Sequence, residues 1–309
     1  MSKTGGGRGT NQYQVRGVSQ AGRQEPEVLD DLAVGDDVSA RLELAQDLRT
    51  APEVLAQLAA DEDPHVRQAV MENPLTPPDV LKRLAEDAVA DVREAAASNP
   101  SMPLDVLDVL AGDEDAGVRV SVARETLAPP EMLAALAEDE ARTVRQVVAH
   151  NVSTPPEVLA RLAEDKDPDV RREVAGNEHA PAEVLARLAE DKDWYVRREA
   201  AGNEHAPTEV LERLAADGDR EVRVVAAQNT HMSRLALARL AEDENQRVRE
   251  MVAMNPRTSP DVLGRLAKDE DWAVRAAVVR HRNASDEALA RLAGDEDVGV
   301  REWAQHRRR

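Results

Sequence analysis

The residues best suited to chemistry recur at one fixed interval. Arginine stands at 41, 67, 93, 119, 145, 171, 197, 223, 249, 275 and 301. Most copies carry aspartate six and four residues earlier, as in Asp61, Asp63 and Arg67, or Asp191, Asp193 and Arg197. A planar guanidinium fork grips carboxylates or phosphates with two parallel hydrogen bonds. The row is therefore either a ligand-binding array or an internal ladder. Each arginine directly follows a residue expected to face inward, Val in every copy but the first. A ladder tying the preceding turn to a neighbouring layer explains both partners. Arg67, Arg93, Arg171, Arg197, Asp61, Asp63, Asp191 and Asp193 are accordingly read as structural.

Asparagine at 73, 99, 151, 177, 203, 229 and 255 poses the same choice. Its amide is able to read a base edge or a peptide backbone. Its recurring place at a turn favours capping and bonds between repeats, so Asn177 and Asn203 are assigned structural roles. Asp47, Glu125 and His281 occupy that slot in three copies and are expected to be irregular joints. His179, His205 and His231 share one register and resemble a metal array. Adjacent layers stand roughly 10 Å apart, whereas zinc holds its ligands at about 2 Å. No metal site is expected.

The composition removes other chemistries. There is no Cys, which excludes disulfides, thiolate nucleophiles and cysteine-held zinc or iron–sulfur sites. No Ser–His constellation, phosphate-cradling Gly loop or dinucleotide fingerprint is present, and no cofactor is expected. Lys and Arg total 40 against 60 Asp and Glu, a formal charge of -20 that opposes broad binding to phosphate backbones. Nucleic acid is not a favoured partner. No run of about 20 apolar residues exists, so no membrane span is expected. The amino end lacks an apolar signal core, and a cytoplasmic location follows as an expectation.

Individuality lies where the repeats differ. Trp194 and Tyr195 open one helix, and Trp272 returns in the Trp194 register three repeats later. Aromatic residues and arginine are favoured interface anchors, so Trp194, Tyr195, Trp272, Arg172 and Arg198 are the candidate binding residues. The competing reading is that the aromatics fill local gaps at the turns.

The elements that position these groups follow from the repeat itself. From residue 26 onward the sequence repeats every 26 residues, in eleven copies of which the last is slightly shortened. In the clearest unit, Val158, Leu159, Leu162 and Ala163 form one stripe of a short helix A. Thr154 is expected to cap it, with Pro155 at its first position and Glu157 completing a capping box. Helix B starts after Asp167, an N-cap, with Pro168 at its first position and Val170 and Val174 facing inward. Val89 and Ala141 break the cap pattern, which predicts different capping or fraying there. Such narrow stripes are protected only by stacking pair upon pair into a solenoid. Residues 1–25 form a flexible tail and 26–309 a single solenoid domain in this reading. Residues 1–24 carry four basic and no acidic side chains.

The recurring Pro-Glu-Val-Leu-x-x-Leu-Ala-x-Asp-x-Asp-x-x-Val-Arg-x-x-Val-Ala-x-Asn pattern resembles the leucine-rich repeat variant (LRV) family. It is more distantly similar to HEAT-like helical repeats. The resemblance covers residues 26–309 and implies an all-α, right-handed superhelix of alternating α- and 3₁₀-like helices. This unit is slightly longer than the family's usual one, which leaves one helix of each pair open between α and 3₁₀. One branch of the family carries a cysteine-rich iron–sulfur module, which a chain without Cys does not share. Two functional classes remain. The first is a non-enzymatic scaffold binding a protein or peptide with a basic region, drawn by the acidic exterior. The second is a HEAT-like enzyme resembling a bilin lyase or a DNA-base glycosylase, the latter needing a local basic groove. Partner identity and oligomeric state are not encoded legibly.

Overall fold

The computed structural model describes residues 37–308, so the expected tail and the first helix A lie outside the described residues. Among the described residues every element is helical, in 21 helices from Val38–Gln46 to Val298–Arg307. They alternate strictly. A helices have seven residues, as in Pro156–Leu162 and Ala182–Leu188. B helices have nine in most layers, as in Pro168–Gly176 and Trp194–Gly202. Layers are numbered below by their B helices, from Val38–Gln46 in the first to Val298–Arg307 in the eleventh.

Each A helix buries a Val-Leu-x-x-Leu stripe: Val158, Leu159 and Leu162 are all but inaccessible. The facing B helix contributes Val170, Val174 and Ala175, which are fully buried. Neighbouring layers share these faces, and one apolar core runs without a break from Ala45 to Ala304. Fully burying one Leu stabilises by about 2 kcal/mol, but only when the next layer covers it. B helices of successive layers lie against one another, whereas successive A helices scarcely touch. Layers spaced more closely on one side curve toward that side, so the B helices line the concave face.

Both members of each pair are α-helices, which corrects the 3₁₀ alternative. In Pro156–Leu162 the amides of Leu159 and Ala163 reach four residues back, to Pro155 and Leu159, at 3.0 and 2.9 Å. Only the ends tighten to three-residue bonds, from Val158 to Pro155 and from Glu164 to Arg161, each 2.9 Å. Seven residues leave room for one full α turn between such ends. The expected cap is also corrected. Pro155 is the N-cap and Pro156 the first helical residue, while buried Thr154 donates from Oγ1 to the Val148 carbonyl at 2.6 Å. The hydroxyl is spent on the end of the preceding B helix instead. Val89 and Ala141 make no side-chain cap, yet both helices form; their own amides bond Asp87 and Asp139 at 2.9 and 2.8 Å.

Two polar ladders tie the layers together in different ways. Arg171 places Nε 2.6 Å from Asp191 Oδ2 and Nη2 2.9 Å from Oδ1, a bidentate pair between layers. Its Nη1 donates to the Asp165 carbonyl of its own turn at 2.8 Å. The same pairing joins Arg67 to Asp87, Arg93 to Asp113 and Arg197 to Asp217. Each of these arginines therefore takes the aspartate 20 residues ahead, not the one six residues behind, whose backbone alone it binds. Asp61 accordingly belongs to Arg41. Asp63 and Asp193 do not pair with the ladder arginines; they cap the B helices through the amides of His65 and Tyr195, each at 2.8 Å.

In the second ladder, Asn177 donates to the carbonyls of Ala149 and Asn151, and Asn203 to those of Ala175 and Asn177. Each Oδ1 accepts the amide two residues on, that of His179 or His205, at 2.8 Å. His281, expected to be an irregular joint, performs both tasks. Its Nε2 lies 2.9 Å from the Asn255 carbonyl and its Nδ1 3.0 Å from the Asn283 amide. That arrangement demands a neutral ring with the proton on Nε2. Glu125 and Asp47 depart, since a carboxylate donates nothing; Asp47 still accepts the Arg49 amide at 2.9 Å, and burial raises the Glu125 pKa.

The buried pairs set the response to mutation and pH. Arg171 and Asp191 side chains are 7% and 10% exposed, so Asp191→Ala strands a desolvated guanidinium. It should cost about 3–5 kcal/mol in urea unfolding, and an Arg171→Met/Asp191→Leu double variant markedly less; a loss below about 0.5 kcal/mol for Asp191→Ala would remove the ladder from the stability argument. Burial and, to a lesser degree, the arginines around it hold the His281 pKa below its ordinary value, despite the Asn255 carbonyl. Its contribution is complete above the unfolded value of about 6.5 and is lost as pH falls toward the depressed folded one. His281→Asn should therefore lose less stability than the native chain between about pH 7 and 5; parallel pH profiles would show that the ring is not held neutral.

Candidate protein-binding surface

The second and ninth positions of each B helix are exposed or half-buried, and the fifth and sixth share their face, because successive helical turns return to one face after three or four residues, although Ala69, Ser121, Val224, Met251, Ala276 and Ala277 are buried there. Across eleven layers such positions tile the concave side. In layer 7 these positions are Tyr195, Arg198, Glu199 and Gly202. Trp194, one position earlier, packs part of its indole against the core. Its ring stacks on Tyr195 with centroids 3.7 Å apart and planes inclined by 29°. The Arg198 guanidinium sits 5.3 Å from the Tyr195 centroid and 5.9 Å from that of Trp194, and pairs with Glu199 at 2.6 Å. Three of the five candidate binding residues thus form one cluster.

Arg172 occupies the Arg198 position in layer 6 and is held by Asp169 at 3.1 Å and Glu173 at 3.2 Å. Trp272 stands apart on layer 10, 55% exposed, while Tyr195 is 45% exposed. Trp194 thus fills a gap against the core, whereas Tyr195 and Trp272 are exposed. Spacing alone did not separate them, since Trp194 and Trp272 share one register; Trp194 stacks on the Tyr195 that follows it, whereas Ala273 follows Trp272.

Charge on this face is largely internally balanced. Arg142 meets Asp169 at 2.7 Å and Arg220 meets Glu221 at 3.2 Å. Arg280 lies 4.7 Å above the Trp303 ring. Each of these three arginines is tied to an acid or a ring, whereas Arg124 of layer 4 is not, and Asp193 beside Trp194 is spent as a helix cap. The acidic excess gathers at the turns before the B helices, where Glu114, Glu244, Glu270 and Glu296 are almost fully exposed. His179, His205 and His231 sit on exposed turn tips at the opposite end of the layers, and no three potential ligands converge among the described residues. No described helix is long and apolar enough to cross a membrane.

Comparison with known proteins accords with this geometry. The Leucine Rich Repeat Variant domain model matches residues 39–98, and the Leucine rich repeat variant model matches 142–167, 168–193, 247–271 and 272–297. The chain belongs to the leucine-rich repeat variant family. A solved LRV structure, described as having a novel repetitive structural motif, is similar at 29% identity and a TM-score of 0.52. That match covers 81% of this chain and 88% of the other. Kap121p is similar in fold alone, at 12% identity and a TM-score of 0.50, over 91% of this chain. This chain spans 44% of Kap121p. No curated protein matches this LRV chain in sequence.

The burial difference among the aromatics yields a direct test. Trp194→Ala should destabilise the LRV stack by about 2 kcal/mol, roughly half the cost of deleting a fully buried Trp. Trp272→Ala should stay within about 0.5 kcal/mol. Equal losses in chemical denaturation would contradict the division into filler and exposed anchor.

Proposed function

We propose that this LRV protein is a non-enzymatic scaffold that binds a protein or peptide carrying a basic region. The observation that supports this reading most is the pair of exposed aromatics at the starts of two B helices, Tyr195 and Trp272. Holding a large side chain in one place before binding reduces the ordering cost of association. Trp272 directly follows Glu270 and Asp271, and an exposed ring beside carboxylates suits a lysine or arginine side chain. The acidic turns add a long-range field that speeds the approach of such a partner and weakens as salt rises.

Affinity capture from cell extract with the native chain and a Tyr195→Ala/Trp272→Ala variant tests this reading. A specific partner should be retained about tenfold or more less by the variant, as expected of hot-spot residues. Its retention should also fall as salt is raised. Undiminished capture by the variant would eliminate the aromatic anchors, and capture indifferent to salt would eliminate the basic region.

A further inference from the structure

Layers 4 and 5 depart from the charge pattern of their neighbours. Their concave positions carry Gly117, Val120, Ser121 and Arg124, then Thr143, Gln146, Val147 and His150, with no carboxylate among them. Layer 3 supplies Asp91 and Glu94 on one side, and layer 6 supplies Asp169 and Glu173 on the other. In a chain of charge -20, these two layers add no acid of their own to the inner face, though Glu94 reaches over from layer 3 to accept from the Ser121 hydroxyl at 3.2 Å. The face there is also recessed. Val120, Val147, Gln146, Arg124, His150 and Glu173 line a concavity of about 490 Å³.

The recess has an apolar base and one uncommitted charge. Val120 and Val147 are half-buried and pack against the core. Glu173 is already satisfied: Gln146 Nε2 donates at 3.2 Å, Arg172 Nη2 at 3.2 Å, and His150 Nδ1 lies at 3.1 Å. Arg124 is exposed and, among the described residues, has no carboxylate at ion-pair distance and no ring beneath it. It feels the charge of Glu125, the next residue, without bonding it. Elsewhere on this face Arg142, Arg172, Arg198 and Arg220 are each held by an acid.

We propose that this recess receives an aliphatic side chain of a protein partner with a carboxylate beside it, the carboxylate meeting Arg124. The inference rests on the scaffold reading and specifies one contact within it. The acidic turns steer a basic partner, and this single apolar–acidic contact sets its register along the groove. The apolar base selects a side chain of leucine or valine size. Layers 4 and 5 add no carboxylate of their own to repel it, and the one that lines the recess, Glu173, is already engaged by Gln146, Arg172 and His150.

Methyl NMR of the full chain, with valine labelled and three small probes titrated separately, tests this contact. The probes are N-acetyl-Leu-Asp amide, N-acetyl-Leu-Lys amide and N-acetyl-Ala-Asp amide. Leu-Asp should shift the Val120 and Val147 methyls most and bind about two- to fivefold tighter than Leu-Lys, the advantage of one exposed ion pair. Ala-Asp should shift them least. Arg124→Glu, a change at an exposed site that leaves the melting curve in place, should invert the preference between the Asp and Lys probes. Equal response to the two Leu probes, shifts confined to other valines, or an unchanged preference in Arg124→Glu would overturn the proposal. Neither Tyr195 nor Trp272 enters this readout. Aromatic-dependent capture without methyl shifts would overturn this contact alone, and methyl shifts alongside undiminished capture by the aromatic variant would overturn the aromatic anchors alone.

Discussion

A layer made of a seven-residue and a nine-residue helix encloses no core, so its geometry depends on how it grips the next layer. The arginine–aspartate pair provides that grip. Apolar contact between layers is strong but non-directional, and Leu, Val and Ala stripes alone would tolerate sliding and rotation. A bidentate fork does not. Arg171 is fixed at Nε and Nη2 by the next layer's Asp191 and at Nη1 by its own turn, which leaves one orientation between the two. Repetition of that geometry from Arg41–Asp61 to Arg275–Asp295 gives every seam the same constraint. The pairs are buried enough that their value lies in specifying the seam as much as in stabilising it.

The same pair explains which parts of the fold were legible in the sequence. The Leu, Val and Arg registers announced a helical stack, because a 26-residue period without insertions leaves each layer the same shape. Which aspartate each arginine takes was not legible. Asp191 stands 20 residues after Arg171 and six before Arg197, so the spacing supports either assignment equally. Only the direction in which the guanidinium leaves its helix decides. His281 escaped the sequence reading for a related reason: side-chain amide and imidazole look dissimilar as residue types, yet each offers a donor and an acceptor at suitable separation. The choice between α and 3₁₀ turned on the seven residues of helix A, a length at which the two differ by only a few hydrogen bonds.

The candidate surface was less legible than the fold. Trp194, Tyr195 and Arg198 were marked by departure from the repeat, and the structure gathers them into one stack. Trp272 was marked by the same departure and stands alone. The recess at layers 4 and 5 left no mark, because nothing there is unusual as a residue. Its signal is what two consecutive layers lack, namely any acid at the four concave positions, and that becomes visible only once the positions are known to share a face.

This division of labour follows from the constraint at the seams. The invariant residues are consumed in holding layers together: Leu in the core, Arg and Asp across the seam, Asn at the turn. They have no capacity left for a ligand, since Asn177 spends both its amide and its oxygen on neighbouring backbone. Recognition must therefore reside in positions the ladder does not use, which are the exposed faces of the B helices. A change there leaves the seams intact, whereas a change in the ladder alters the angle between layers and moves every exposed side chain beyond it. In a stack of this kind, specificity varies residue by residue only because the scaffold's own polar groups are fully committed elsewhere.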